Sequence, residues 1–218
     1  MKKLFPKSKD REKHVSYFKM LESFREDGCP LCSRNKTAAN NYIDNLLYEN
    51  VNDPEIRKRL RESLGFCSVH SQLLLQLSDS FGTAIIYSDL LSQFEKILER
   101  NYSRFFQRKK CRVCELLEIE AKENIELLVR YADDPEFKKK FEQSEGLCAA
   151  HLIELLTSCT NQRQREYFLS IHKKKIEVLK KDLNELIRKN NYRFHQEKIT
   201  EAESKSWIKA VNLLNRKF

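Results

Sequence analysis

Cys29-Pro30-Leu31-Cys32, followed after 34 residues by Cys67-Ser68-Val69-His70, recurs as Cys111-Arg112-Val113-Cys114 and, 33 residues later, Cys148-Ala149-Ala150-His151. Each copy offers three thiols and one imidazole, a full tetrahedral ligand set for Zn²⁺. The simplest reading gives each copy its own site. Cys29, Cys32, Cys67 and His70 then hold one ion, and Cys111, Cys114, Cys148 and His151 the other. An iron–sulfur cluster with one histidine ligand is the alternative cofactor. Closing the 34-residue loop costs about 3 kcal/mol in its length-dependent term. A structural zinc site contributes roughly 10–16 kcal/mol in small peptides, so the metal wins.

The repetition extends beyond the ligands. Ala39, Ile43, Leu46 and Leu47 return as Ala121, Ile125, Leu128 and Val129, at the 4, 3, 1 spacing of one helix face. Asp53-Pro54-Glu55 returns as Asp134-Pro135-Glu136, and Ser63, Gly65, Cys67 and His70 as Ser144, Gly146, Cys148 and His151. The register slips by one residue between positions 47 and 53, which places a turn there. Each copy predicts a helix from CxxC to about residue 49 or 131. A short basic helix follows, N-capped by Asp53 or Asp134 with proline at its first position. It ends at a C′ glycine, Gly65 or Gly146.

A third helix opens at CxxH. A long helix closes each copy, over about 84–108 and 163–190. A final amphipathic helix carries Trp207, Ile208, Val211 and Leu214. The fold class expected is all-α, a tandem duplication of a zinc-pinned helical unit. Its parts are a basic arm and lead-in helix (1–28), two CxxC/CxxH units (29–110 and 111–194) and a C-terminal helix (195–218).

Composition agrees. Only four glycines and four prolines in 218 residues argue against an all-β chain, which needs turn residues at every hairpin. The amino-terminal stretch is basic without an apolar segment behind it, so a signal peptide is not expected. No apolar run approaches a membrane span. Seven cysteines then read as metal ligands in a cytoplasmic protein rather than as disulfides. The formal charge of +9 falls to roughly +7 once two Cys3His zinc sites are counted.

Several strings carry a family resemblance: Cys29-Pro30-Leu31-Cys32, Gly65-Phe66-Cys67-Ser68-Val69-His70, Ser144-Glu145-Gly146-Leu147-Cys148-Ala149-Ala150-His151, and Ser206-Trp207-Ile208-Lys209-Ala210. Over nearly its whole length the chain resembles a prokaryotic family catalogued as a domain of unknown function. That family has paired CPxC and GFCxxH elements and a tryptophan-bearing C-terminal helix. The resemblance implies that residues 29, 32, 67, 70, 111, 114, 148 and 151 form the family's Cys/His pattern. It implies no activity. Arg112 in place of proline and Leu147 in place of Phe66 depart from the family wording without touching a ligand.

Four protein ligands close a coordination sphere, whereas hydrolytic zinc keeps a position for water. No HExxH, phosphate loop or nucleophile elbow is present. The chain therefore reads as a non-enzymatic binding or adaptor module. Nucleic-acid binding and redox or metal sensing are the alternatives. Arg100, Arg104, Arg108, Lys109 and Lys110 lie in a stretch without acidic residues. The three arginines are spaced as a stripe on one helix face, beside Tyr102, Phe105 and Phe106, suited to nucleic acid or an acidic protein. Lys173–Lys175, Lys180, Lys181, Arg188, Lys189 and Arg193 form a second basic stretch, and Lys2, Lys3, Lys7, Lys9, Arg11 and Lys13 a basic arm. Cys159 is expected as a small buried side chain and Trp207 as a core anchor. His14, His172 and His195 lack ligand spacing and are expected at the surface.

Overall fold

The computed structural model describes residues 14–77, 79–194 and 196–215, and among these the chain is helical with no strand. The basic arm before His14 and His195 lie outside the described residues. Ten α-helices are found among the described residues: α1 Val15–Ser23, α2 Pro30–Tyr48, α3 Pro54–Ser63, α4 Ser68–Leu77, α5 Ser80–Arg100, α6 Arg112–Arg130, α7 Pro135–Gln143, α8 Ala149–Ser158, α9 Gln162–Lys189 and α10 Glu201–Leu214. Among the described residues, no helix is long and apolar enough to cross a membrane.

Asp-Pro starts α3 and α7 as expected. The Asp53 carboxylate accepts from Ile56 N and the Asp134 carboxylate from Phe137 N, both at 2.9 Å. Such caps stabilise a helix by about 1 kcal/mol each. Leu64 and Gly65 leave α3 with φ of +50° and +84°. The α7 exit differs, because Ser144 caps that helix in extended backbone and the left-handed residue, Gly146, comes two later.

The chain divides into two compact units, and they are not the two sequence repeats. Among the described residues, one takes in 14–33 and 124–215, the other 34–123. The first has an aromatic core: Tyr17, Phe24, Tyr131, Phe137, Phe141 and Phe168 are all buried, with ring centroids 4.8–5.8 Å apart along the cluster. Tyr17 donates its hydroxyl to Asp134 Oδ1 at 2.9 Å, tying α1 to the cap of α7. The core of the second is aliphatic, with Ala39, Ile43, Leu46, Leu47, Leu60, Phe66, Leu74, Ile86 and Leu90 buried. The matched helix faces of the repeat are thus core in both units, with Ile125 and Leu128 buried in the first. Helices α2 and α6 each begin in one unit and continue in the other.

The closing helix of the first repeat does not reach residue 108. It stops at Arg100, because Asn101 adopts extended backbone (φ −165°, ψ 92°) and its side chain accepts from Ser103 N at 3.1 Å. That cap starts a separate 3₁₀ helix, Tyr102–Gln107. Trp207 is not a core anchor either. It is 57% exposed, while the buried side of α10 is small and polar, with Ser206 and Glu203. Thr200 and Glu203 form a capping box at the start of α10, and Lys189 of α9 meets Glu203 at 2.7 Å.

Candidate metal centres

All eight predicted ligands converge, but in crossed pairs. Cys29 and Cys32 meet Cys148 and His151, and Cys67 and His70 meet Cys111 and Cys114. In each quartet the four donor atoms lie within 4.8 Å of one another. The expected pairing within each repeat is therefore corrected: the CxxC of one repeat is completed by the CxxH of the other. Helix length gives the reason. The 19 residues of α2 carry the chain about 27 Å from its CxxC, and ten-residue α3 returns only about 15 Å. The nearest available CxxH is then the other copy's. Loop lengths change accordingly. Cys32 and Cys148 are 116 positions apart, raising the closure term to about 4 kcal/mol, still far below what a zinc site supplies.

Four helix N-termini build the two quartets by one local rule. Cys29, Cys67, Cys111 and Cys148 each directly precede a helix, and each carbonyl accepts from the amide four residues on, at 2.8–3.1 Å. Each is thus an N-cap, and its partner ligand falls three residues later, on the same face of the first turn. Pro30 is the first residue of α2, where a missing N–H costs nothing. Two positive helix ends converge on each set of three thiols, which favours thiolate.

The spacing fits a single tetrahedral ion. Bonds of 2.3 Å to sulfur and about 2.05 Å to nitrogen require S···S near ~3.8 Å and S···N near ~3.5 Å. In the first quartet Cys32 Sγ and Cys148 Sγ are 3.8 Å apart, and His151 Nδ1 lies 3.3–3.5 Å from its three sulfurs. In the second, Cys67 Sγ and Cys114 Sγ are 3.6 Å apart, and His70 Nδ1 lies 3.1–3.6 Å from its three. Both imidazoles turn Nδ1 to the sulfurs, and the buried Nε2 of each finds no hydrogen-bond partner among the described residues. In that orientation Nδ1 is the atom that would meet an ion.

Hydrogen bonds with Cys148 and Cys32, then burial, drive the Cys29 thiol far up, while hydrogen bonds with Cys29 and Cys32 pull the Cys148 thiol far down. Burial works to lower the His151 imidazolium, but Cys148 and Cys32 outweigh it and raise it to about 9. In the other quartet burial, then Cys67, pushes Cys114 up to about 12. Three thiolates brought this close would repel one another unless a cation sat among them.

Side chains outside the ligand motifs fasten the loops. Gly28 N, just before Cys29, donates to Glu145 Oε2 at 2.7 Å, and Glu145 also pairs with Lys209 of α10 at 2.8 Å. Beside the other quartet, Lys109 N donates to the Glu62 carbonyl at 2.9 Å. His172, expected at the surface, is 2% exposed. Its Nδ1–H donates to the Phe168 carbonyl at 2.8 Å, leaving Nε2 to accept from Leu147 N at 2.9 Å, one residue before Cys148. Leu90 occupies the matching place beside Gly65. Only the i,i+4 spacing from Phe168 hinted that His172 could turn inward.

Replacing His172 by alanine is expected to destabilise the metal-loaded protein by about 2–4 kcal/mol, through the orphaned Leu147 amide and the cavity left behind. Burial, with Lys175 assisting and the Phe168 carbonyl opposing, holds the His172 pKa below its ordinary 6.5. As pH falls below 6.5 the unfolded chain therefore takes the proton first, and the stabilisation drains away. Thermal denaturation from pH 8 to about 5 should show the gap between wild type and His172→Ala narrowing toward acid. A constant gap would contradict this role.

The basic stripe is not assembled. Arg100 ends α5, Arg104 lies on the 3₁₀ helix, and Arg108 is in extended backbone over the Phe105 ring at 4.8 Å. Lys109 pairs with Glu62 and Lys110 with Glu118. In the second stretch, Lys175 donates to the Glu142 and Ser144 carbonyls, Arg188 is shared by Glu185 and Glu197, and Lys189 is spent on Glu203. Cys159 is buried as expected, at the C-cap of α8.

Fold and site together define an all-α protein made by tandem duplication, with two Cys3His clusters able to hold a metal ion. The chain belongs to the family described as "Family of unknown function (DUF6062)", which matches residues 12–110 and again residues 100–217. It is 30% identical over 208 residues to the "Uncharacterized 23.9 kDa protein in xynA 3'region" of Caldicellulosiruptor sp. (strain Rt8B.4), covering 89% of this chain and 98% of that protein. No solved structure matches.

Proposed function

We propose that this protein is a non-enzymatic binding or adaptor module of the cytoplasm, whose helices are locked by two structural Zn²⁺ ions. The observation that carries this reading is the pair of closed quartets. Each supplies three sulfurs and one nitrogen at the separations one tetrahedral ion demands. Zinc is favoured over an iron–sulfur cluster because several irons and sulfides between the ligands would hold the cysteine sulfurs out of mutual contact. A structural role is favoured over hydrolysis because protein fills all four positions. A thiolate-rich site also suits a reducing compartment.

Elemental analysis of the purified protein is expected to find two zinc equivalents per chain in a colourless solution. Iron with visible absorbance, or metal-free protein with full thermal stability, would overturn the reading. Loading stripped protein near neutral pH should also release protons, since Cys29 and Cys114 hold theirs tightly until an ion arrives.

A further inference from the structure

We infer that a cavity bounded by α9, α10 and the turn before Cys148 is a binding site for a small amphipathic carboxylate, a molecule with one anionic head and an apolar body. The cavity has a volume of about 450 Å³, and all the residues that line it belong to the unit with the aromatic core. Sites for small organic molecules have this size. Lys175, Leu179 and Asp182 of α9 follow the i, i+4, i+7 spacing of one helix face, and Lys209 and Leu213 of α10 repeat the i, i+4 step. All five line the cavity. The leucines, with Ile176, offer a wall to an apolar body. The two charges on the α9 face stand about 10 Å apart along the helix, one toward each end.

Lys175 is the group that calls for an anion. Its ammonium donates to the Glu142 and Ser144 carbonyls at 2.8 and 2.5 Å. Gly146 leaves room for its stem, since a β-carbon there would stand 3.1 Å from Lys175 Cδ. An ammonium has three protons, so one is left over. Among the described residues no carboxylate pairs with it. Burial holds the Lys175 pKa below 10.5, with Glu142 and Glu145 opposing, and a bound carboxylate would offset that cost. Lys174 lines the same cavity, is exposed and has no partner among the described residues. Glu145 is already held by Gly28 N and Lys209. Asp182 and the sulfurs of Cys29 and Cys148 also line the cavity and would turn away a second anionic group. A single carboxylate beside Lys174 and Lys175, with hydrocarbon behind it along Leu179 and Leu213, meets both conditions.

Titration calorimetry of the full chain as purified, with octanoate as the probe, should give one site with a Kd of roughly 10–300 µM. Octanol keeps the tail and octylamine reverses the head, so each should bind at least ~10-fold more weakly. Lys175→Met should weaken octanoate about 10-fold and leave octanol unchanged. Lys174→Glu changes an exposed side chain and spares the fold, and should weaken octanoate about 5-fold. Leu179→Trp fills the cavity and should abolish binding of octanoate and octanol alike. Absence of octanoate binding at about 5 mM, or octanol binding as tightly as octanoate, would overturn the proposal. So would an octanoate affinity that Lys174→Glu and Leu179→Trp leave unchanged.

Discussion

Stripped of metal by a strong chelator, the protein is expected to lose its cooperative thermal transition, or to melt tens of degrees lower, and to recover on adding zinc. A whole domain is stable by only about 5–15 kcal/mol. One structural zinc site contributes a comparable amount, about 10–16 kcal/mol in peptides. Two sites of the kind proposed would therefore outweigh the margin by which a folded domain survives. Damage at either site is not confined to its own unit. The helix that starts at Cys29 continues as Ala39, Ile43, Leu46 and Leu47 of the aliphatic core. The helix that starts at Cys111 continues as Ile125, Leu127 and Leu128 of the aromatic core. Releasing one helix start thus loosens the neighbouring core. Near-ultraviolet circular dichroism during chelation and zinc return checks this, and a melting temperature unmoved by complete metal removal would contradict it.

The elements were legible because each rests on a local rule. Asp-Pro caps, the left-handed glycine after α3 and the apolar faces of α2 and α6 depend on neighbours within a few positions, and the observed helices follow them. That these eight cysteines and histidines come together in quartets is legible because each pair occupies one helical turn. The pairing was not, because it depends on where 19-residue helices carry their ends, which no motif spacing encodes. Apolar periodicity continues through Phe105 and so predicts a helix to about residue 108, whereas one Asn101 cap ends it at Arg100. The core position expected for Trp207 fails because an amphipathic stripe does not say which of its residues turn inward. Here Ser206 and Ala210 take the inner side. His172 leaves little signal in the sequence because its partners are backbone groups, one of them 25 positions away.

Crossed pairing makes a stoichiometric prediction that separates it from pairing within each repeat. Cys29→Ser with His151→Ala removes two ligands from one quartet, so one zinc equivalent should remain, held by Cys67, His70, Cys111 and Cys114. Cys29→Ser with His70→Ala removes one ligand from each quartet, so both equivalents should weaken or vanish. The decisive measurement is zinc content of these two double variants, after dialysis against a competing chelator. The crossed arrangement predicts about one equivalent for the first variant and none for the second. The reverse order, none for the first and one for the second, would show that each repeat binds its own ion and would contradict the architecture described above.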